Sequence, residues 1–218
     1  MEDRLKAALK MLKEHHEAFY SVVDLARETQ HPVPMDTRGW SQILVSVLTG
    51  IPGLARKKGA DLADGSDVKA ANTWEAIDTP RFNGAIKAGT LAETADSIAS
   101  LDAQPYLFLV LWDHTSTGFA RCRIWCVRTQ VDMVFRSMCE QWYEQRRIGI
   151  IRSTNFQLHP PRGRDENIIK NKCGNLEYPL LFAVVMNINN EYEVTTCNPN
   201  VLTSGQCRAI PLSVASKG

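Results

Sequence analysis

The run Tyr106-Leu107-Phe108-Leu109-Val110-Leu111-Trp112 constrains the fold of this chain more than any other feature. It is far too short to cross a bilayer, which takes about 20 apolar residues. It also lacks the polar alternation of a strand with one wet face. Such a run predicts a strand buried on both faces, in a sheet that other layers cover from either side. The flanking sequence supplies those layers. Leu5, Leu9, Leu12, Phe19, Val22, Val23 and Ala26 follow a period near 3.6 and predict a helix over residues 3–29, stopped by His31-Pro32-Val33-Pro34. Trp40, Ile43, Leu44, Val47 and Leu48 predict a second helix, with Asp36 or Thr37 as N-cap and Gly50-Ile51-Pro52-Gly53 as its stop.

A third helix is expected over Asp132 to Arg147, with Met133, Phe135, Met138, Cys139, Trp142 and Tyr143 inward, and a short one over Thr90–Leu101. Cys122–Val127 and Leu180–Ile188 read as further strands, and Thr79 to Gly84 as loop. The resulting fold class is α/β, with a mixed central β-sheet flanked by helices. The expectation is one domain over 1–218: an N-terminal helix in 1–35, a core in 36–150, and a loop with further sheet in 151–218. The N-terminal stretch MEDRLKAALKMLKEHHE carries charges throughout and lacks the apolar core of a secretory signal, so a cytoplasmic setting is expected.

In that setting the six cysteines are expected to be free thiols. Cys122 and Cys126, four apart, share one face of a strand. A zinc site would require Cys173, Cys197 and Cys207 to converge with His159.

The formal net charge of +1 conceals an asymmetry. Residues 1–104 hold 12 Lys/Arg against 15 Asp/Glu, whereas residues 121–172 hold 11 against 5. The basic set is Arg121, Arg123, Arg128, Arg136, Arg146, Arg147, Arg152, Arg162, Arg164, Lys170 and Lys172, and arginine suits bidentate contacts to phosphate and guanine. A solvated basic face gives the same composition, so this stretch bears on nucleic acid only in company with a nuclease site.

Such a site is visible at Asp61, Asp67 and Lys69. Asp64-Gly65 is a turn signal, which predicts two short antiparallel strands, Gly59–Ala63 and Ser66–Ala71. Asp67 and Lys69, two apart on a strand, point to one face. Asp61 lies across the turn. Two adjacent carboxylates repel and call for a cation, and a hard ion such as Mg²⁺ (or Mn²⁺ in its place) takes oxygen ligands, here Asp61, Asp67 and the backbone carbonyl of Val68. Lys69 then orients the attacking water and offsets charge on a phosphate. No Walker-type phosphate loop and no Ser or Cys nucleophile elbow accompanies these residues.

An acid, a turn and Asp-X-Lys on the next strand, preceded by a helix, resemble the PD-(D/E)XK nuclease core. The stretches KKGADLADGSDVKAANTWEAIDTPRFNG, PYLFLVLWD, CRIWCVRTQ and STNFQLHPP resemble the MamI type of type II restriction endonucleases, over roughly residues 38–185. The resemblance implies a metal-dependent DNA endonuclease leaving 5′-phosphates, acting as a homodimer on a palindromic site in double-stranded DNA. The chain departs from the pattern in two places. Ala60 stands where the superfamily has proline before the first acid, and the gap from Asp61 to Asp67 is short. Asp64 therefore competes with Asp61 as first acid.

The expected DNA contacts are Lys57, Lys58, Asn72, Thr73, Arg81, Gln157, His159, Arg162, Arg164 and Asn167, the last five in a Pro-broken polar loop suited to base reading. Ser41 and Gln42 lie on the helix before the site, where the superfamily resemblance implies an extra polar or acidic group; packing or solvent exposure is the reading preferred from the residues. His114 and Asp113, at the end of the buried strand, are expected to be structural. Two other functions remain open: a repair-type nuclease of the same superfamily without sequence choice, and a DNA-binding protein without catalysis.

Overall fold

The computed structural model describes residues 1–33, 36–54, 59–86, 98–161, 163–205 and 208–210. Lys57, Lys58, Arg162, Cys207 and most of the expected helix over Thr90–Leu101 lie outside the described residues. The described helices are α1 (Glu2–Tyr20), α2 (Val23–Glu28), α3 (Arg38–Thr49), α4 (Met133–Arg147) and α5 (Val201–Ser204), with a 3₁₀ turn at Ile98–Leu101. The strands are β1 (Asp67–Asn72), β2 (Phe82–Asn83), β3 (Leu107–His114), β4 (Ala120–Val127), β5 (Gln157–Leu158), β6 (Ile168–Asn171), β7 (Gly174–Glu177), β8 (Leu180–Met186), β9 (Tyr192–Cys197) and β10 (Arg208–Ile210).

Five strands form the central sheet in the order β1-β3-β4-β8-β9. β1 runs parallel to β3 and every other neighbour is antiparallel, so the sheet is mixed, as expected. The apolar run is its buried strand β3. Its side chains alternate with period 2 between two cores. Phe108, Val110 and Trp112 pack with α1 and α3 on one face, while Leu107, Leu109 and Leu111 pack with α4 on the other. Cys122 and Cys126 both lie in the α1/α3 core, as their spacing predicts, and burial raises both thiols so that they stay protonated. Helix α4 begins where expected, because the Asp132 carboxylate accepts from the amide of Phe135. Met133 is a correction: it lies outside the inward stripe and is 71% exposed.

Two further expectations are corrected. The helix over residues 3–29 is two helices, α1 and α2, separated at Ser21-Val22. There the Ser21 hydroxyl donates back to the carbonyl of Ala18, a local bond that competes with the helical ladder. The antiparallel hairpin over 59–71 does not form. Only β1 is a strand, and its partner is β3. Both Asp61 and Leu62 donate their amides to the carbonyl of Ser66, and the Asp64 carboxylate accepts from the Ser66 amide and hydroxyl. The aspartate thereby closes residues 61–66 into a turn that leaves no room for a first strand. Gly65 fits it at φ +95°, with the carbonyl of Ala103 2.6 Å from where a Cβ would sit.

Among the described residues, no helix is long and apolar enough to cross a membrane.

Candidate active site

Among the described residues β1 is an edge strand, and the candidate site residues gather along its edge. Asp67 donates its amide to Tyr106, and Thr73 donates to Trp112, so the odd-numbered amides of this segment face β3. In a parallel ladder the even residues then turn both amide and carbonyl to the open edge. The Val68 amide is accepted there by Asp61 Oδ2 at 2.9 Å and by Asp67 Oδ1 at 3.2 Å. One N–H thus gathers both carboxylates, and the Val68 carbonyl emerges on the same unpaired edge.

Each carboxylate has a second partner. Asp61 Oδ1 accepts from Gln42 Nε2 at 2.7 Å, and Asp67 Oδ2 pairs with Lys69 Nζ at 2.6 Å. Burial first, then a hydrogen bond with Asp67 and its negative charge, raise the Asp61 carboxyl from 3.8 to about 6, against the lowering effect of the Val68 amide and Lys69. With two carboxylates and one ammonium the centre is one positive charge short of neutral. Asp64 lies apart from this cluster: its two oxygens accept from Ser66, and it does not line the cleft.

The cleft over this edge encloses about 1040 Å³. Its walls are the start of α3 (Arg38, Gln42), β1 itself, and Arg81 with Asn83 of the β2 segment. Among the described residues, no group of three or more His, Cys, Asp or Glu side chains could hold a metal. That counts against zinc at Cys173, Cys197 and His159, with Cys207 outside the described residues. Asp61 and Asp67 supply two carboxylates, oxygen donors of the kind that hard cations take.

The family model of the MamI restriction endonucleases matches residues 24–188. The chain belongs to this family. It is 34% identical over 164 residues to the type II restriction enzyme MamI of Microbacterium ammoniaphilum, an alignment covering 69% of this chain and 51% of that protein. The chain therefore spans about half the length of the curated relative it matches. No solved structure matches it.

All the cleft residues fall within the span matched by the MamI family model. The expected DNA contacts distribute unevenly around the cleft. Arg81 and Asn72 line it, although the side-chain oxygen of Asn72, Oδ1, also accepts from the Trp74 amide. Thr73 ties the end of β1 to Trp112. Gln157 bonds Asn83 at the cleft wall. His159 joins Lys170 through backbone bonds and does not line the cleft. Arg164 Nη1 reaches the carbonyl of Thr115, and Asn167 Oδ1 accepts from Arg123 Nη1 at 3.0 Å.

The basic stretch is likewise not one open face. Arg121 and Arg123 are 8% and 2% exposed and share the carboxylate of Asp113, while Arg136 pairs with Asp102 and Arg147 with Glu144. Asp113 is structural, as expected. Ser41 is too, accepting from Trp112 Nε1.

Sequence reasoning missed two residues and preferred the wrong reading for a third. Gln42 is not a packing or solvent residue, since it holds Asp61. Its signal was its place one helical turn after Arg38 on the helix preceding the acids. Arg38 and Asn83 also line the cleft unforeseen. For Asn83 the signal was the alternation Arg81-Phe82-Asn83, with Phe82 fully buried.

Proposed function

We propose that this chain is a type II restriction endonuclease that hydrolyses phosphodiester bonds of double-stranded DNA at a specific site, with a divalent cation, on a PD-(D/E)XK-like core. The carrying observation is the pair of carboxylates held on the one Val68 amide at an open sheet edge, with Lys69 beside them. The donor set fits Mg²⁺, or Mn²⁺ in its place: Asp61, Asp67 and the outward carbonyl of Val68 would hold the ion. When bound, such a cation lowers the pKa of water and stabilises the charge that develops on phosphorus.

The chain's own residues do the rest. The Val68 amide and Gln42 fix the orientation of Asp61, and Lys69 fixes Asp67. The Lys69 ammonium can only donate, so it orients the lone pair of an incoming water toward phosphorus and steadies a non-bridging oxygen. The water oxygen bonds to phosphorus, the P–O3′ bond breaks, and a proton passes to O3′. The products are a 5′-phosphate and a 3′-hydroxyl. Cleavage of both strands at a palindromic site calls for a homodimer, whose two-fold axis matches that of the DNA.

Plasmid digestion with Mg²⁺, followed by sequencing of the ends, tests the reading. Discrete bands with 5′-phosphates are expected, with no cutting in a chelator. Lys69→Ala and Asp67→Ala lower the rate by on the order of 10²–10³ while folding is kept. A smear, or preference for branched substrates, indicates a repair-type nuclease. Undiminished cutting by Lys69→Ala overturns the site.

A further inference from the structure

We infer that the two-stranded ribbon β2–β5 reads bases, with Asn83 and Gln157 together recognising the major-groove edge of an adenine; this rests on the DNA-cleaving function proposed above. Asn83 and Gln157 are direct cross-strand partners in the ribbon. Asn83 is exposed and lines the same cleft as Asp61, Asp67 and Lys69, while Phe82 between it and Arg81 is buried. By the alternation of a strand, Arg81 and Asn83 face outward on the cleft side. A ribbon of two strands is one of the shapes that the major groove admits.

The direction of each amide follows from a backbone group. The Gly84 amide can only donate, and at 2.7 Å it meets Asn155, so that atom is the Asn155 oxygen, Oδ1. The remaining Asn155 nitrogen lies 3.1 Å from Asn83, which must present its own oxygen in return. Gln157 Nε2 donates to that same Asn83 oxygen at 3.1 Å. Both bonds therefore consume the Asn83 oxygen and leave its NH₂ group to the solvent side. They likewise leave the side-chain oxygen of Gln157, Oε1, free to accept among the described residues, while its backbone carbonyl accepts from Asn171 Nδ2 at 2.7 Å. The cross-strand pair therefore has one donor, the Asn83 amide nitrogen, and one acceptor, Gln157 Oε1, to offer a ligand. Adenine displays the complement in the major groove, N7 as acceptor and the N6 amine as donor. Guanine, with two acceptors at N7 and O6, would leave the Gln157 oxygen opposed to an oxygen. The amide cluster is thus more than a clasp between strands, because its bonding pattern predefines what it offers to a ligand.

Selection of bound duplexes from a random DNA pool tests this without cleavage, with Lys69→Ala as the binding protein. Asn83→Asp keeps an oxygen for Asn155 and Gln157 and so keeps the cluster, but it replaces the outward donor with an acceptor. The expected result is an enriched sequence in which preference for adenine at one position per half-site falls between about 5- and 150-fold on Asn83→Asp. Independently of any variant at Asn83, duplexes carrying 7-deazaadenine at that position, which lack the N7 acceptor, bind more weakly by a similar factor. In Asn83→Asp they bind no more weakly than unmodified DNA. An enriched sequence unchanged by Asn83→Asp, or no enrichment at all, overturns the inference. The cleavage reading fails separately, through absence of cutting by the wild type with Mg²⁺, and the binding selection still judges Asn83.

Discussion

Two charged centres sit on the same sheet and obey opposite rules. In its interior, Asp113 accepts from Arg121 through Nε at 3.0 Å and Nη2 at 2.8 Å, and from Arg123 Nη2 at 2.6 Å. Arg121 Nη1 reaches Asp165 at 3.0 Å, and Arg123 Nη1 the carbonyl of Glu166. Two cations and two anions cancel, and the centre is closed. At the edge, Asp61 and Asp67 share one lysine and face an open cleft. The interior centre lies between strands whose backbones are fully paired, so its charges must satisfy one another. The edge centre lies where backbone groups point outward and a missing charge can be supplied from solution. Placement in the sheet, more than residue type, separates the carboxylate whose charge is matched within the fold from the two that face a cleft.

The sharpest way to break this contrast is Asp113→Ala. It leaves two buried guanidinium groups without their shared carboxylate, and burial already disfavours the charged form of Arg123. Removing one member of a buried charge cluster costs about 3–5 kcal/mol, a large share of the roughly 5–15 kcal/mol that keeps a domain folded. Denaturant unfolding should show a loss of this size. Asp67→Ala should show none, although it removes cutting. Equal stability losses from the two variants would mean that both centres are structural.

This difference was only half legible in the sequence. Asp67 and Lys69 could be placed on one face from the period of a strand, and β3 and α4 from their apolar patterns, because these signals are local. The partner of β1 was not local: a turn signal at Asp64-Gly65 suggested a hairpin, whereas the pairing made is parallel, to a strand some forty residues on. Arg121 and Arg123 looked like surface charge. Their burial follows from the β3–β4 register, in which Arg121 lies directly opposite Asp113. The β2–β5 ribbon joins segments over seventy residues apart, so Asn83 read as loop.

The second test sharpens the contrast through pH. In the metal-free protein the Asp61 carboxyl is raised from 3.8 to about 6, chiefly by burial. A carboxyl that holds its proton more tightly when folded stabilises the fold below pH 4, and this contribution is lost as pH rises from about 4 to 6. His15 acts with the opposite sign: burial lowers it from 6.5 to about 4, so folding gains stability as pH rises across much the same window. The two partly cancel in the wild type. Subtracting the profile of Asp61→Asn isolates the carboxylate. The wild type should lose up to about 2 kcal/mol relative to that variant between pH 4 and 7, after allowance for solvent screening of a half-buried group. Mg²⁺ should restore the loss at pH 7 and do little at pH 4. The interior centre, already neutral, should gain no stability from Mg²⁺ at either pH.

The smallest effect concerns how the edge centre is held. Gln42 touches Asp61 alone among the site carboxylates, through one bond of 2.7 Å to Oδ1. The other Asp61 oxygen stays fixed by the Val68 amide. Gln42→Ala therefore frees one oxygen of a carboxylate that remains in place. Groups that orient a metal-binding side chain typically change metal affinity by about 10- to 100-fold when removed. The retained amide bond puts this case at the lower end, about 10-fold. The Mg²⁺ concentration for half-maximal cutting should rise by that factor, while the rate at saturating Mg²⁺ stays close to wild type. A drop in the saturated rate with an unchanged Mg²⁺ requirement would place Gln42 against the DNA instead. An interior counterpart, Asn167→Ala, removes a bond to Arg123 and should leave the Mg²⁺ titration untouched, because nothing in the closed centre waits for a cation.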